Sequence, residues 1–336
     1  MKFSLIICTY QRPVSLIRLL TSVEKQQCYP TEIVIVDGSF DDATEKIFKD
    51  KSFENLQYFK VSEQQRGLTK QRNFGIEKAS SESEVICFLD DDTILEPDYF
   101  KEIITTFKLS ADIIGVGGFA TNENKWIKKD KTKSYDKNKF YEFEGYIYPE
   151  ASRNRLRNFF KLQSNMGPGR MPEFSHGRTT GFPMTGRIYE VDLLIGMSFS
   201  FRTIIFKTIY FSEYFEGYGL YEDADFSIRA LKFGKNVINT KAKLAHYHAT
   251  EGRPNKYDYG KMVVRNGYYV WRVKYPKPSL KVKIKWHAIT LLLTAIRYTN
   301  ILDRSSVKRK EAFTEALGRT VGWVSLIFKK PKLTTK

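Results

Sequence analysis

Val85-Ile86-Cys87-Phe88-Leu89-Asp90-Asp91-Asp92 sets five apolar residues directly against three carboxylates. A short apolar run rich in β-branched and aromatic residues reads as a strand buried on both faces. Acids at its carboxyl end sit where open α/β sheets bind their ligands, in the loop that follows the strand. Three adjacent carboxylates repel one another, and a hard divalent cation of the magnesium or manganese type best offsets that cost. The alternative is a solvated loop whose acids favour the N-terminus of a helix starting near Pro97.

Working outward, Phe3–Cys8, Ile33–Val36, Leu56–Val61 and Ile113–Val116 are further runs of strand length. Between them lie helix-like segments: Pro13 to about Gln26, Asp41 to about Lys49, Leu68–Ala79 and Pro97 to about Lys108. Pro13 and Pro97 suit first helical turns. This alternation predicts an α/β fold, a mostly parallel, Rossmann-like sheet flanked by helices. Ligand loops are then expected at Thr9–Pro13, Asp37–Asp42 and Asp90–Thr93.

Residues 119–188 are rich in Lys, Tyr, Asn and Gly with weak periodicity, and read as a long insertion. An apolar stretch returns at Val191–Tyr210, and a helix-like segment runs from Asp223 to Phe233, stopped at Gly234. The tail carries two amphipathic helix candidates, around Ile284–Tyr298 and Val307–Phe328. The expected divisions are 1–118, 119–250 and 251–336.

The chain has 336 residues, 55 Lys and Arg against 38 Asp and Glu, and a net charge of +17. Sixteen Lys and Arg against three Asp and Glu fall from Trp271 onward, so the basic character is concentrated in the tail. Such a segment suits an anionic surface, either nucleic acid or acidic lipid. Cys8, Cys28 and Cys87 show no metal-type spacing and fit a reducing cytosol. The N-terminus enters a strand at once, leaving no expected signal peptide. The longest apolar stretch, Ala288–Ile296, is shorter than the roughly 20 residues of a spanning helix.

Four more constellations are candidates. Asp37-Gly38-Ser39 offers a carboxylate to a base or ribose edge, although the same triplet is ordinary turn chemistry. Gly67 precedes a helix carrying Arg72 and Asn73, a sensible diphosphate environment or simply a surface helix with a salt-bridged Arg. Tyr221-Glu222-Asp223-Ala224-Asp225-Phe226 opens a helix whose acids are dipole partners or contain a general base. His246 and His248 are spaced to share one face of a strand, as structural residues or as metal ligands.

Taken together these motifs resemble the family 2 glycosyltransferases of the GT-A fold. Ile-Ile-Cys-Thr-Tyr-Gln-Arg resembles that family's opening strand and turn. Val-Ile-Val-Asp-Gly-Ser resembles its second strand, although many members carry a further Asp before the Gly. The segment ending Arg72-Asn73-Phe74-Gly75, the Asp-x-Asp motif within Asp90–Asp92, the Gly196 strand and the Glu222-Asp223 helix follow in order. The resemblance spans residues 3 to about 250. It implies a nucleotide-sugar-binding half at 1–118 and an acceptor-binding, catalytic half at 119–250. The tail at 251–336 is a basic helical segment with possible membrane association. It also implies donor contacts from Thr9, Tyr10, Arg12, Asp37, Gly67, Arg72, Asp90 and Asp91, and a divalent metal on Asp92 and His246. Asp223 would be the base, with Asp225 and Glu222 as secondary or acceptor-side acids. An inverting transfer from a nucleotide sugar to a glycan or lipid-linked acceptor follows, in surface polysaccharide or glycolipid synthesis.

Rival readings are weaker. A processive synthase would add spanning helices and a Gln-x-x-Arg-Trp motif. A sugar nucleotidylyltransferase would want glycines where Thr9-Tyr10-Gln11-Arg12-Pro13 stands. A nucleic-acid-binding protein accounts for the tail but not for the acidic triplet, and no nucleic acid is expected as a partner. Trp286 and Tyr298 beside Lys281, Lys283, Lys285 and Arg297 suit a headgroup zone, so the expected location is cytoplasmic, peripheral on the inner face of the cell membrane. The other possibility is that both tail helices pack as ordinary core.

Overall fold

The computed structural model of the chain describes residues 1–178, 180–215, 217–248, 252–302 and 305–333. Strands β1 (Phe3–Thr9), β2 (Glu32–Asp37), β3 (Leu56–Lys60), β4 (Val85–Asp90), β5 (Thr93–Leu95) and β6 (Ile113–Ala120) come first. β7 (Ile127–Lys128), β8 (Phe140–Phe143) and β9 (Tyr146–Pro149) lie in the insertion, followed by β10 (Ile188–Val191), β11 (Ser198–Arg202) and β12 (Lys235–His246). The helices are α1 (Pro13–Val23), α2 (Ala43–Asp50), α3 (Leu68–Lys78), α4 (Tyr99–Leu109), α5 (Ser152–Phe159) and α6 (Glu222–Ala230). α7 (Lys256–Lys274), α8 (Leu280–Thr299) and α9 (Ser306–Phe328) complete them. The chain divides into two units, residues 1–124 with 184–253, and residues 125–183 with 254–335. The boundary expected at 250/251 lies outside the described residues.

In the first unit the described residues form a nine-stranded sheet in the order β10-β12-β6-β11-β4-β1-β2-β3, with β5 paired to β12. From β3 through β2 and β1 to β4 the pairing is parallel, as the alternating pattern predicts. β11 runs antiparallel between β4 and β6. The sheet is therefore mixed but mostly parallel at its acidic end, an α/β fold with helices on its faces. Side chains alternate across it. Phe3, Leu5, Ile7, Ile33 and Ile35 join Leu16 and Leu20 of α1 and Phe100 and Ile103 of α4 in one core. Ile6 and Val36 point the other way, under α3, where a Cβ on Gly75 would lie 2.6 Å from Ile6.

Two local expectations need correction. Pro97 does not open a helix: α4 begins at Tyr99. The short β5 pairs with β12 immediately after the acidic triplet, and that pairing delays the helix. His248 does not share a strand face with His246, because β12 ends at His246 and His248 has a φ of +51°.

The second unit holds a three-stranded sheet, β7-β9-β8, and the tail helices. Trp126 packs among Tyr141, Phe143 and Tyr148 of that sheet. α7 has no forecast in the sequence pattern, since Gly260, Gly267 and the polar pair Arg265-Asn266 interrupt its apolar stripe. Asn255 caps it, accepting from Asp258 N at 2.9 Å. Trp271 of α7 stacks on Trp286 of α8 at 5.1 Å between centroids. No described helix is long and apolar enough to cross a membrane.

α7 and α9 touch backbone to backbone through glycine. A Cβ on Gly318 would lie 2.0 Å from Tyr257 O, and one on Gly260 2.1 Å from Glu315 O. Gly318→Ala should therefore cost about 1–3 kcal/mol, the range for overpacking a tight contact, even though alanine is the better helix former. Urea unfolding followed by helical circular dichroism checks this, and an unchanged or raised midpoint would refute the close crossing.

Candidate active site

Three parallel strands end together at one edge of the sheet. Cys8 lies opposite Asp90 and Thr9 opposite Asp37, so the loops after β1, β2 and β4 open side by side. Gln71 of α3 pins two of these ends, its Nε2 donating to Thr9 O at 3.1 Å and Val36 O at 2.9 Å. Gly67 before that helix has a φ of +120°, which favours glycine, and a Cβ there would lie 3.3 Å from Gly217 N.

The acidic triplet divides its labour. Asp91 is buried and turned toward β1, accepting from Thr9 Oγ1 at 2.7 Å and pairing with Arg12 Nη1 at 3.1 Å. Burial pushes its carboxyl up to about 7, with Arg12 and Thr9 pulling the other way. Asp90, Asp92 and His246 instead converge: each offers a ligand atom, and these atoms lie within 4.8 Å of one another. His246 Nε2 is 3.3 Å from Asp92 Oδ1. Two carboxylates and an imidazole are a donor set that fits manganese or magnesium.

Glu123, which no motif announces, sets the ring of His246. Its Oε1 lies 2.8 Å from His246 Nδ1 and 2.9 Å from His248 Nε2. That shared carboxylate brings the two imidazoles to 4.0 Å between centroids despite the turn at His248. Burial alone would lower the pKa of His246, but Asp92 and Glu123 on either side hold it up at about 10.

Arg72 does not face open solvent. It is 2% exposed, with its guanidinium 4.7 Å from the ring centroid of Phe199 and 5.3 Å from that of Phe211. It pairs with Glu222, donates to Asp90 Oδ1 at 3.3 Å and donates to Gly196 O at 3.1 Å. Burial pushes Glu222 up to about 8, and the Arg72 charge works against that rise.

The remaining acids of α6 differ sharply. Asp225 is fully buried, and its Oδ2 accepts from Arg229 Nη2 at 2.6 Å and Nε at 3.0 Å. Asp223 is only half-buried and is held by backbone, accepting from Gly196 N at 2.9 Å and Ala224 N at 2.8 Å. A Cβ on Gly196 would stand 3.3 Å from the Cβ of Asp223, so glycine permits that approach. Burial lifts the Asp223 carboxyl above its usual range, while the two N–H donors act against the rise.

At the β1 and β2 ends, Asp37 is wholly buried. Ser39 N donates to one oxygen and Tyr58 OH to the other, both at 2.8 Å, so it shapes the Asp-Gly-Ser turn. Beside it Phe40 is 64% exposed, with Tyr10 edge-on at 5.8 Å and the Arg66 guanidinium 3.9 Å over its ring. Sequence reasoning passed over Phe40 and Arg66. Its one available signal was a large apolar residue in an otherwise polar loop.

A profile of the family described as Glycosyl transferase family 2 matches residues 4–175, just over half of the chain. Over 131 residues the chain is 28% identical to the glucosyl-dolichyl phosphate glucuronosyltransferase of Haloferax volcanii, covering 38% of this chain and 41% of that protein. Over 93 residues it is 30% identical to the GalNAc(5)-diNAcBac-PP-undecaprenol beta-1,3-glucosyltransferase of Campylobacter jejuni, covering 27% and 29%. The chain thus spans less than half the length of these two relatives. Its fold is similar to that of the mannosyltransferase PcManGT from Pyrobaculum calidifontis in complex with GDP-Man and Mn2+, with a TM-score of 0.53. That match covers 97% of this chain and 87% of the other at 12% identity, a likeness of fold.

Removing one member of a buried charge pair leaves the other uncompensated. Arg72→Met should lower unfolding stability by about 3–5 kcal/mol, and adding Glu222→Gln should recover part of the loss. Denaturant unfolding of the two single variants and the double variant measures the coupling, and additive losses would show that the pair is not the link.

Proposed function

The chain belongs to glycosyl transferase family 2, and we propose that it moves a sugar from a nucleotide-sugar donor to a hydroxyl of a glycan or lipid-linked acceptor. The observation that supports this most directly is the convergence of Asp90, Asp92 and His246 at strand ends, tied through Arg72 to the helix that carries Asp223.

Asp90, Asp92 and His246 would hold the divalent ion, which when bound offsets the negative charge of a leaving nucleoside diphosphate. Phe40, backed by Arg66 and Tyr10, offers an aromatic face on which a base can stack. Thr9, Arg12 and Asp91 fix the loop between them, and Asp37 fixes the turn beneath Phe40. Asp223 accepts the proton of the acceptor hydroxyl as its oxygen bonds to the anomeric carbon. The carbon–oxygen bond to the diphosphate breaks in the same displacement, and its electron pair leaves with the diphosphate. Attack opposite the leaving group inverts the anomeric configuration. Asp225, engaged by Arg229, holds α6 in place. Hydrolysis of common nucleotide sugars with manganese or magnesium, followed by acceptor screening, tests the reading, and no turnover of any of them would count against it.

We extend the reading to location. Leu280, Ile284, Ile327 and Phe328 are exposed among the tail lysines. That arrangement suits an anionic membrane surface, where a lipid-linked acceptor is found. The dolichyl phosphate and undecaprenol in the names of two relatives accord with it.

Asp92→Asn should nearly abolish both turnover and its divalent-ion dependence. Wild-type, metal-dependent turnover in that variant would remove Asp92 from the site. Asp223→Asn should cut turnover by about 10²–10⁴-fold with donor affinity nearly unchanged. Because burial raises the Asp223 pKa, wild-type kcat/KM should fall as pH drops through that raised value, where the carboxyl is protonated and cannot accept. A larger turnover loss from Asp225→Asn, with donor binding intact, would transfer the role of base to Asp225.

A further inference from the structure

We propose that a cavity among the tail helices is a binding site for the phosphate group of a membrane lipid, held by a trio of cations beneath an apolar rim. The cavity has a volume of about 320 Å³, and its lining residues come from α7, α8, α9 and Lys330 just beyond α9. Arg272, Lys283 and Lys330 bring three positive charges to it, and no carboxylate lines it. Among the described residues neither lysine has an acidic partner.

The donors are set for an anion. Arg272 spends its two Nη atoms on the Tyr268 hydroxyl and Pro276 O, yet its Nε is buried with no hydrogen-bond partner. That nitrogen is closed off from solvent, so Arg272 serves the cavity through its charge and leaves the donor role to Lys283 and Lys330. His287 accepts from Trp323 Nε1 at its Nδ1, at 3.0 Å, so its neutral ring carries its hydrogen on Nε2 and adds another donor. Phosphate oxygens are the acceptors that such a cluster of planar and point cations takes best.

The surroundings select a lipid over a free anion. Trp271, Trp323 and Leu326 supply apolar wall, and Ile327 lines the cavity while remaining 65% exposed. Phe328 next to it is 84% exposed, and Ile284 next to Lys283 is 60% exposed. Apolar side chains displayed to solvent between lysines, over indole rings, match the layered chemistry of a headgroup zone. The choice of a lipid rests on the membrane location proposed above, not on the transfer reaction.

The test uses the full-length protein and its tryptophan fluorescence. Dihexanoylphosphatidic acid, kept below micelle formation, should give a saturable change, with inorganic phosphate at least about tenfold weaker. Lys283→Gln with Lys330→Gln should weaken the lipid by about tenfold or more, since each cation near an anionic lipid contributes on the order of a factor of five. Lys281→Gln with Lys332→Gln removes the same charge outside the cavity lining and should shift binding by less than about twofold, with melting temperature confirming that both variants fold. Equal losses in the two double variants, phosphate binding as tightly as the lipid, or no saturable response would each overturn the proposal. Sedimentation with phosphatidylglycerol vesicles tests the membrane location separately. Monomeric lipid binding without sedimentation would keep the cavity and refute the docking.

Discussion

A buried guanidinium holds the candidate site together. Arg72 sits among Phe88, Phe199 and Phe211, and its charge is answered by Asp90 at the end of β4 and Glu222 at the start of α6. Taking such charges out of water costs several kcal/mol per ion, and only close, hydrogen-bonded geometry offsets it. The cost fixes distances: β4, the loop at Gly196 and α6 must meet where one planar group can reach all three. Asp223, one residue along from Glu222, inherits its position from that meeting.

The same economy of position governs the acidic triplet. Three neighbouring carboxylates would repel if they pointed together. The chain turns Asp91 inward to Thr9 and Arg12 and leaves Asp90 and Asp92 to converge with His246. Glu123 completes the arrangement from the far side of the imidazole, the outer-shell support that metal-binding histidines usually have. Converging and inward-paired carboxylates thus alternate along three consecutive residues.

Much of this was legible in the sequence because it is local. The apolar runs of β1, β2 and β4 state their burial, and the acids that follow state the edge at which the site lies. The first turn of α6 is likewise readable from Glu222 to Asp225. Long-range pairings were not readable. β11 enters between β4 and β6 from a segment about 80 residues beyond β6, and Glu123 meets His246 across a gap of 123 residues. No periodicity encodes either. Arg72 illustrates the limit: its motif suggested a phosphate contact, whereas its surroundings, Phe199 and Phe211 included, are assembled only in the folded chain. α7 is hidden in the sequence because Gly260, which looks like a helix breaker, is where the helix meets α9.

That glycine crossing has a consequence for how the tail presents its charges. Advancing α9 by one residue would turn it by about 100° and carry side chains into the backbone of α7. Sliding it by a full turn would bring Thr314 opposite Tyr257 in one direction and Leu326 opposite Lys261 in the other, so either shift carries a side chain against α7. The two helices are therefore keyed like a shaft in its slot. Lys329 and Lys330 follow directly on α9, so the place where they emerge is set by a contact about ten residues away, and the compass bearing of the basic face is written in residues that carry no charge.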